Sequence, residues 1–115
     1  STMRTVLLVI LCLLASLNAW SQGLTGQISG TIQDPQGAAI VDADVVLTNQ
    51  GTTQARQTKT DSSGSYLFTQ LLPGTYTVTV TAAGFKKLEK KDIVLTATER
   101  VVMPPAALTL GDVTQ

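Results

Sequence analysis

The sequence predicts an all-β fold, a seven-stranded antiparallel sandwich, and three observations support this prediction. Residues 22–115 contain sixteen threonines together with frequent valine and isoleucine, a composition that favours half-buried strands. Turn signals built on Gly, Pro, Asn and Asp recur every 10 to 14 residues, a spacing typical of short antiparallel strands. Between the turns, apolar and polar side chains alternate with a period of two, so each strand has one face suited to burial.

The turn signals divide the chain into seven predicted strands. The turns lie at residues 34–37, 49–51, 61–64, 73–74 and 83–84. The strands are predicted at residues 25–33, 41–49, 54–60, 65–70, 75–82, 86–95 and 98–110. Pro104 and Pro105 interrupt the last of them, because neither residue can donate a hydrogen bond to a sheet. Residues 99–115 are therefore expected to form either a last strand or an exit linker.

The alternation also predicts which side chains fill the space between the two sheets. The inward-facing set is Ile28, Gly30, Ile32, Ala43, Val45, Leu47, Tyr66, Phe68, Tyr76, Val78 and Val80. The threonines at alternate positions of residues 75–81 then face water. The lysine-rich segment at residues 86–91 is expected on an exposed edge strand, where charge opposes edge-to-edge aggregation. Contact with anionic lipid or with an acidic partner is the alternative interpretation of the same lysines.

The first 21 residues have the pattern of a secretory signal peptide. A short positive region at residues 3–4 precedes an uncharged apolar run at residues 6–14. This run is shorter than the roughly 18 to 20 residues that a membrane-spanning helix needs. Small residues predict cleavage after Ser21, or otherwise after Ala19. The protein is therefore expected to be exported, to the periplasm or the outer membrane.

The predicted organisation has three parts. Residues 1–21 are a signal peptide, in which residues 1–2 are interpreted as a cloning scar or an upstream start. Residues 22–98 form the sandwich, and residues 99–115 are the last strand or the exit linker.

The composition excludes most catalytic and metal chemistry. The chain has no histidine, so it lacks imidazole relays and imidazole metal ligands. Its single cysteine, Cys12, lies in the apolar run, so neither an internal disulfide nor a cysteine zinc site is expected. Asp42 and Asp44 are predicted to share one strand face, but to point into water, where a carboxylate pair lacks the environment for acid catalysis. No enzymatic activity, cofactor or metal is expected.

The charge balance argues against a nucleic-acid partner. Residues 22–115 carry 7 basic and 8 acidic side chains. Domains that bind the phosphate backbone normally show a clustered basic excess.

Six ordered blocks of the sequence resemble the carboxypeptidase regulatory-like domain. The blocks are Ile28-Ser29-Gly30-Thr31-Ile32, Asp34-Pro35-Gln36-Gly37-Ala38-Ala39-Ile40, Ala43-Asp44-Val45, Thr60-Asp61-Ser62-Ser63-Gly64-Ser65-Tyr66, Leu72-Pro73-Gly74-Thr75-Tyr76 and Ala83-Gly84-Phe85. They fall within about residues 25–96. The resemblance implies a transthyretin-like, prealbumin-type sandwich of seven strands in Greek-key order.

Within these blocks, turn and core roles are expected for Gly30, Gly37, Asp61, Gly64, Pro73, Gly74, Tyr76, Gly84 and Phe85. Gly64 and Gly74 are expected to supply positive φ in tight turns, and Pro73 to preset the bend before Gly74. Tyr76 is large enough to fill the space between the sheets.

The domain directly follows a signal peptide and is followed by residues 110–115. This order resembles the N-terminal region of Oar-like TonB-dependent outer-membrane receptors. The resemblance implies a non-catalytic accessory module that faces the periplasm and contacts a protein partner or a downstream plug and barrel.

The alternative is a carbohydrate-binding module of the starch-binding-like fold, which would need exposed aromatic rings to stack on sugars. The alternation assigns Tyr66, Phe68, Tyr76 and Phe85 to the core and leaves only Trp20, at the end of the predicted signal peptide. Carbohydrate is therefore the less favoured partner.

Overall fold

The computed structural model describes residues 2–20 and 24–111, which form one helix and an all-β domain. The helix, α1, covers Thr2–Trp20. No helix among the described residues is both long enough and apolar enough to cross a membrane. Ser21, the predicted cleavage position, lies outside the described residues.

Eight strand segments follow the helix. They are β1 (Gly26–Gln33), β2 (Asp44–Asn49), β3 (Ala55–Lys59), β4 (Ser65–Leu71), β5 (Gly74–Thr81), β6 (Leu88–Leu95), β7 (Arg100–Val102) and β8 (Ala106–Ala107). The first six overlap the predicted strands, whose ends differ from the observed ones by up to three residues.

The strands form two sheets, so the predicted all-β sandwich is confirmed. In one sheet the order is β4-β1-β7, and β8 also pairs with β1. In the other sheet the order is β3-β2-β5-β6. Consecutive strands β3 and β4 lie at edges of different sheets, and the chain passes between sheets again from β4 to β5.

The last strand differs from the prediction in two respects. It is broken into β7 and β8 at Pro104-Pro105, because these residues lack the N–H groups that a ladder requires. Both pieces also pair with β1 in parallel, with Ile28 opposite Val101 and Ile32 opposite Ala106, so the sandwich is not antiparallel throughout.

Residues 100–111 pair with the rest of the domain and do not form the exit linker that was the alternative prediction. Leu108 is buried, and its amide donates a 2.8 Å hydrogen bond to the carbonyl of Gln33. Leu110 forms a bridge to Phe85. The remaining residues, 112–115, lie outside the described part of the chain.

The core lies between the two sheets, and every residue of the predicted inward-facing set is buried there. Four further residues complete the buried cluster: Leu71, Ile93, Leu95 and Leu108. The period-two pattern therefore identified the interior side of β1, β2, β4 and β5.

The start of the second predicted strand is a turn instead. Asp42 has a φ of 61°, and the turn is held by the buried side chain of Thr60. The Thr60 hydroxyl donates to the carbonyl of Ile40 at 2.6 Å and accepts from the amide of Ala43 at 2.9 Å. Asp42 and Asp44 consequently do not share a strand face, which corrects the predicted pairing.

Candidate functional site

The turn before β4 is organised by Asp61. Its Oδ1 atom accepts hydrogen bonds from the amides of Ser63 and Ser65, each at 2.9 Å. The Gly64 amide donates to the Asp61 carbonyl at 2.9 Å, and Gly64 has the expected positive φ, 74°. The side chain thus replaces water as the acceptor for two amides that the tight turn leaves unpaired.

The turn after β1 repeats this arrangement. The Asp34 carboxylate accepts from the amides of Gln36 at 2.8 Å and Ala38 at 2.9 Å, and Gly37 has a φ of 88°. The surroundings of the two glycines differ. A Cβ atom added to Gly37 would have no neighbour within 4 Å, whereas one added to Gly64 would lie 2.5 Å from the carbonyl oxygen of Ile32.

The β4–β5 connection contains Pro73, Gly74 and Tyr76. Gly74 is not at positive φ, so that prediction is wrong. Gln70, which has a φ of 55°, lies within β4, where the pairing of β4 with β1 shifts in register. Gly74 is already the first residue of β5, opposite Leu95. The Tyr76 ring is buried between the sheets, as expected from its size.

The remaining turn and core residues lie at two separate places. Gly30 is buried on β1, where an added Cβ would overlap the phenol group of Tyr66. Gly84 has a φ of 84°, and its carbonyl accepts from the Gly111 amide at 2.9 Å. Phe85 is half-buried against the core. The nine residues are thus spread over both sheets and several turns, and they do not converge on one site.

The aromatic rings of the sandwich are directed inward. Tyr66 is 6%, Phe68 1% and Tyr76 5% exposed, and Phe85 is partly covered by the core. Tyr66, Phe68 and Tyr76 therefore offer no open ring face on which a sugar could stack.

The sheet edges expose main-chain groups, and the edge at β4 is covered in part, at Ser65 and at Thr69. Asp61 binds both main-chain groups of Ser65, through its amide and its Oδ1 atom. Arg56 donates a short hydrogen bond to the carbonyl of Thr69, and its guanidinium carbon lies 5.8 Å from the Phe68 ring centroid. No sequence motif marked Arg56, because its role depends on β3 and β4 meeting across the sandwich.

Two other edges carry residues that oppose strand addition. The lysine-rich segment ends on β6, which is an edge strand as predicted and carries Lys90 and Lys91, the latter 3.3 Å from Glu89. The edge formed by β7 and β8 is short and is interrupted by Pro104-Pro105. Charge and proline both disfavour the pairing of another strand at an edge.

The fourth edge, β3, is open: among residues 2–20 and 24–111, β2 is its only partner strand. Hydrogen bonds from Thr60 to Ala43 (3.0 Å) and from Asn49 to Gln54 (2.8 Å) lie at the two ends of its pairing with β2. In an antiparallel ladder, alternate residues direct their main-chain groups to the partner strand. The groups at positions 55, 57 and 59 therefore face away from β2, and these three residues are exposed.

No three His, Cys, Asp or Glu side chains within residues 2–20 and 24–111 are grouped so that they could hold a metal ion.

A protein-family comparison identifies the domain. The family model of the carboxypeptidase regulatory-like domain matches residues 27–109, from β1 through β8. The chain belongs to this family. The match includes β7 and β8, which the predicted domain boundary at residue 98 left out. No match was found among curated proteins.

Solved structures with a similar fold include both enzymes and pilus proteins. Hydroxyquinol 1,2-dioxygenase from Pseudomonas putida DLL-E4 has a TM-score of 0.62 at 10% identity, covering 79% of this chain and 58% of that one. The group B streptococcus pilus 2b backbone protein has a TM-score of 0.56 at 22% identity, with coverages of 75% and 41%. A streptococcal ancillary pilin has a TM-score of 0.61 at 15% identity, with coverages of 78% and 34%. The chain thus spans less than two thirds of each structure, and the likeness shows the fold alone.

Proposed function

We propose that this chain is a non-catalytic interaction module of an exported protein, the N-terminal periplasmic domain of a TonB-dependent outer-membrane receptor. Membership of the carboxypeptidase regulatory-like family and the pilin sandwiches of similar fold support a module without an active site. The signal-peptide pattern of residues 1–21 supports export. The lack of histidine in the whole chain removes imidazole chemistry from consideration.

The observation that carries the interaction role is the open edge of β3. The β4 edge is partly covered by Arg56 and Asp61, β6 carries Lys90 without an ion pair among the described residues, and Pro104-Pro105 interrupts the edge of β7 and β8. The outward main-chain groups of β3 are accessible, and its outward lysine, Lys59, is paired with Asp44. An extended peptide of the partner could add there as a further strand of the β3-β2-β5-β6 sheet. Main-chain hydrogen bonds would supply the affinity in this mode, and side chains at alternate positions would supply the selectivity.

The side chains beside this edge define the kind of peptide that would fit. Gln57 and Ala55 are exposed, and Lys59 forms a 3.2 Å ion pair with Asp44 on the adjacent strand. The edge is thus mainly neutral and without large apolar groups. A polar, strand-forming segment suits it better than an apolar one.

Export and the receptor context have separate tests. Intact-mass measurement on protein recovered from the periplasm is expected to give Gln22 as the first residue, and a product retaining Met3 would contradict export. The reading frame downstream of Gln115 is expected to continue into a plug and a barrel. A stop codon directly after Gln115 would reject the receptor context while leaving the interaction role open.

The open edge is tested by placing a photoreactive amino acid in the exported protein, at position 57 in one variant and at position 79 in a control. Thr79 lies on β5, in the middle of the same sheet, so it reports contacts with the sheet face instead of the edge. A discrete protein adduct is expected from position 57 and not from position 79. Adding Gln57→Pro to a variant labelled at position 55 should remove the adduct, because proline eliminates an outward N–H. Equal adducts from positions 57 and 79 would reject strand addition.

The carbohydrate alternative is tested by calorimetry with a soluble glucan. No saturable binding is expected. Binding that is lost on Phe85→Ala would replace the interaction proposal with carbohydrate recognition.

A further inference from the structure

A cavity of about 160 Å³ lies inside the sandwich, on the side closed by β6 and by the break between β7 and β8. Its apolar wall is formed by Ile32, Val78, Val80, Leu88 and Met103. A cavity of about this size holds one six-membered ring, since an engineered apolar cavity of about 150 Å³ binds benzene.

The cavity exists because of the two prolines. Val102 pairs with Ser29, whose carbonyl also accepts from the Met103 amide at 2.8 Å, and the pairing resumes at Ala106 opposite Ile32. Neither Pro104 nor Pro105 can donate to β1, and the chain loops out between β7 and β8. This loop forms the rim of the cavity.

One polar group reaches the cavity from inside the sandwich. Tyr66, on β4, lies opposite Gly30 of β1, and its ring extends over that glycine because no side chain opposes it. Tyr66 is only 6% exposed and lines the cavity, yet its hydroxyl makes no hydrogen bond within the described part of the chain. No fully buried polar side-chain atom among the described residues lacks a partner, so this hydroxyl is accessible and can donate to a ligand. Burial raises the pKa of Tyr66, so the hydroxyl remains a donor at neutral pH.

A second donor stands at the mouth of the cavity. Lys90 pairs with Val78, and because Val78 faces the core, Lys90 extends from the inner side of β6. It lines the cavity together with its inward neighbour Leu88. Lys90 forms no ion pair with a carboxylate among residues 2–20 and 24–111, unlike the adjacent Lys91. An ammonium group and a hydroxyl that both donate favour an anionic acceptor.

We propose that this cavity binds a small aromatic carboxylate, with its ring against the apolar wall and its carboxylate held by Tyr66 and Lys90. The ring size follows from the volume, and the negative charge follows from the two donors. The proposal concerns the interior between the sheets and is independent of the open β3 edge and of the receptor context.

The test is a methyl NMR titration of the exported protein with benzoate, and with benzyl alcohol and benzylamine as neutral and cationic controls. Benzoate is expected to shift the methyl signals of Ile32, Val78, Val80 and Met103 saturably, with a millimolar or lower dissociation constant. Benzyl alcohol should bind about tenfold more weakly, and benzylamine should produce no saturable shift, because the ammonium of Lys90 repels it.

Two variants and one matched control locate the polar contacts. Lys90→Ala should weaken benzoate binding about tenfold, whereas Lys91→Ala should leave it within about twofold, because Lys91 does not line the cavity. Tyr66→Phe should weaken binding about three- to tenfold, as expected for one lost hydrogen bond. An absence of saturable methyl shifts, equal affinity for the three compounds, or equal effects of Lys90→Ala and Lys91→Ala would each overturn the proposal.

Discussion

The hydroxyl of Tyr76 donates a 2.6 Å hydrogen bond to the main-chain carbonyl of Leu72. Leu72 lies in the connection by which the chain leaves β4 in one sheet, and Tyr76 lies in β5 of the other sheet. The bond therefore closes the crossover between sheets around Pro73 and Gly74. The ring of Tyr76 is 5% exposed, whereas Leu72 is 61% exposed. Burial of the ring should contribute more to stability than the hydrogen bond, since one hydrogen bond contributes only about 0.5 to 1.5 kcal/mol net.

Two substitutions of Tyr76 separate the contribution of the buried ring from that of the hydroxyl hydrogen bond. Tyr76→Ala is expected to lower the free energy of unfolding by about 3 to 5 kcal/mol, because it leaves a large cavity in the core. Tyr76→Phe should lower it by about 0.5 to 1.5 kcal/mol, the net value of one hydrogen bond. Thr79→Ala, on the outer face of the same strand, should change it by less than about 0.5 kcal/mol. Urea denaturation provides the three values, and equal losses for Ala at positions 76 and 79 would contradict the assignment of strand faces.

The two aspartate turns offer a matched pair of glycine substitutions. Gly37 and Gly64 have positive φ values of 88° and 74°, so alanine is strained at both positions, by about 1 to 2 kcal/mol. Only at Gly64 would the new Cβ also collide with main chain, at the carbonyl of Ile32. Gly64→Ala should therefore lower the melting temperature clearly more than Gly37→Ala. A larger effect at Gly37 would mean that the turn before β4 can move away from β1 without loss.

Thr60 provides a test of buried hydrogen bonding. Thr60→Val keeps the shape of the side chain but leaves the carbonyl of Ile40 and the amide of Ala43 without their partner. The expected loss is about 2 to 3 kcal/mol, because two main-chain groups in a buried site lose a hydrogen bond. Thr60→Ser, which keeps the hydroxyl, should lose less. Thr58→Val is the control, because Thr58 lies on β3 and is half-exposed. If thermal denaturation shows a similar loss for Thr58→Val and Thr60→Val, the buried hydrogen bonds of Thr60 are not the cause.

Glu99 should titrate at unusually low pH. Its Oε1 atom accepts from the amide and from the hydroxyl of Thr96, each at 2.9 Å, and these bonds hold the pKa of Glu99 below its usual value. Because the folded-state pKa is the lower one, the contribution of Glu99 to stability is present above the unfolded-state pKa and is lost as pH falls through the folded-state pKa. Side-chain carboxyl ¹³C shifts measured against pH should show the low value. Thr96→Ala should raise it part of the way, since the amide bond remains, and an unchanged value would exclude the hydroxyl as a cause.

Much of the sandwich was predictable because its signals are local. Alternation of apolar side chains indicates the buried face wherever a strand is regular, and Asp-x-x-Gly sequences indicate the turns at Asp34 and Asp61. The errors lie where a tertiary contact overrides the local signal. The positive φ expected at Gly74 is found instead at Gln70, where β4 shifts its register against β1. The strand expected to begin near Val41 is held in a turn by Thr60.

The candidate sites were less predictable, because each depends on strand pairing. Asp92, with a φ of 61°, accompanies a register shift in β6, between the pairs made by Tyr76 and Val78. The shift interrupts the alternation, so Lys90 lies on the inner face of β6, opposite Val78. The sequence alone predicts that the whole lysine-rich segment is exposed to solvent. In the same way, the openness of β3 depends on which strands flank it, and β3 has no distinguishing motif of its own.

Hydrogen exchange tests whether the end of the chain is part of the sheet. The amides of Met103 and Leu108 each donate a 2.8 Å hydrogen bond to β1, to Ser29 and Gln33 respectively. Both should exchange at least about a hundredfold more slowly than the amide of Ala97, which lies in an exposed loop, because exchange would require β7 and β8 to separate from β1. If Leu108 exchanges as fast as Ala97 while Met103 is protected, the sheet ends at β7 in solution and the segment from Ala106 onward acts as a linker. If both are protected, the prolines interrupt the last strand without ending it, and the cavity beside them keeps its rim.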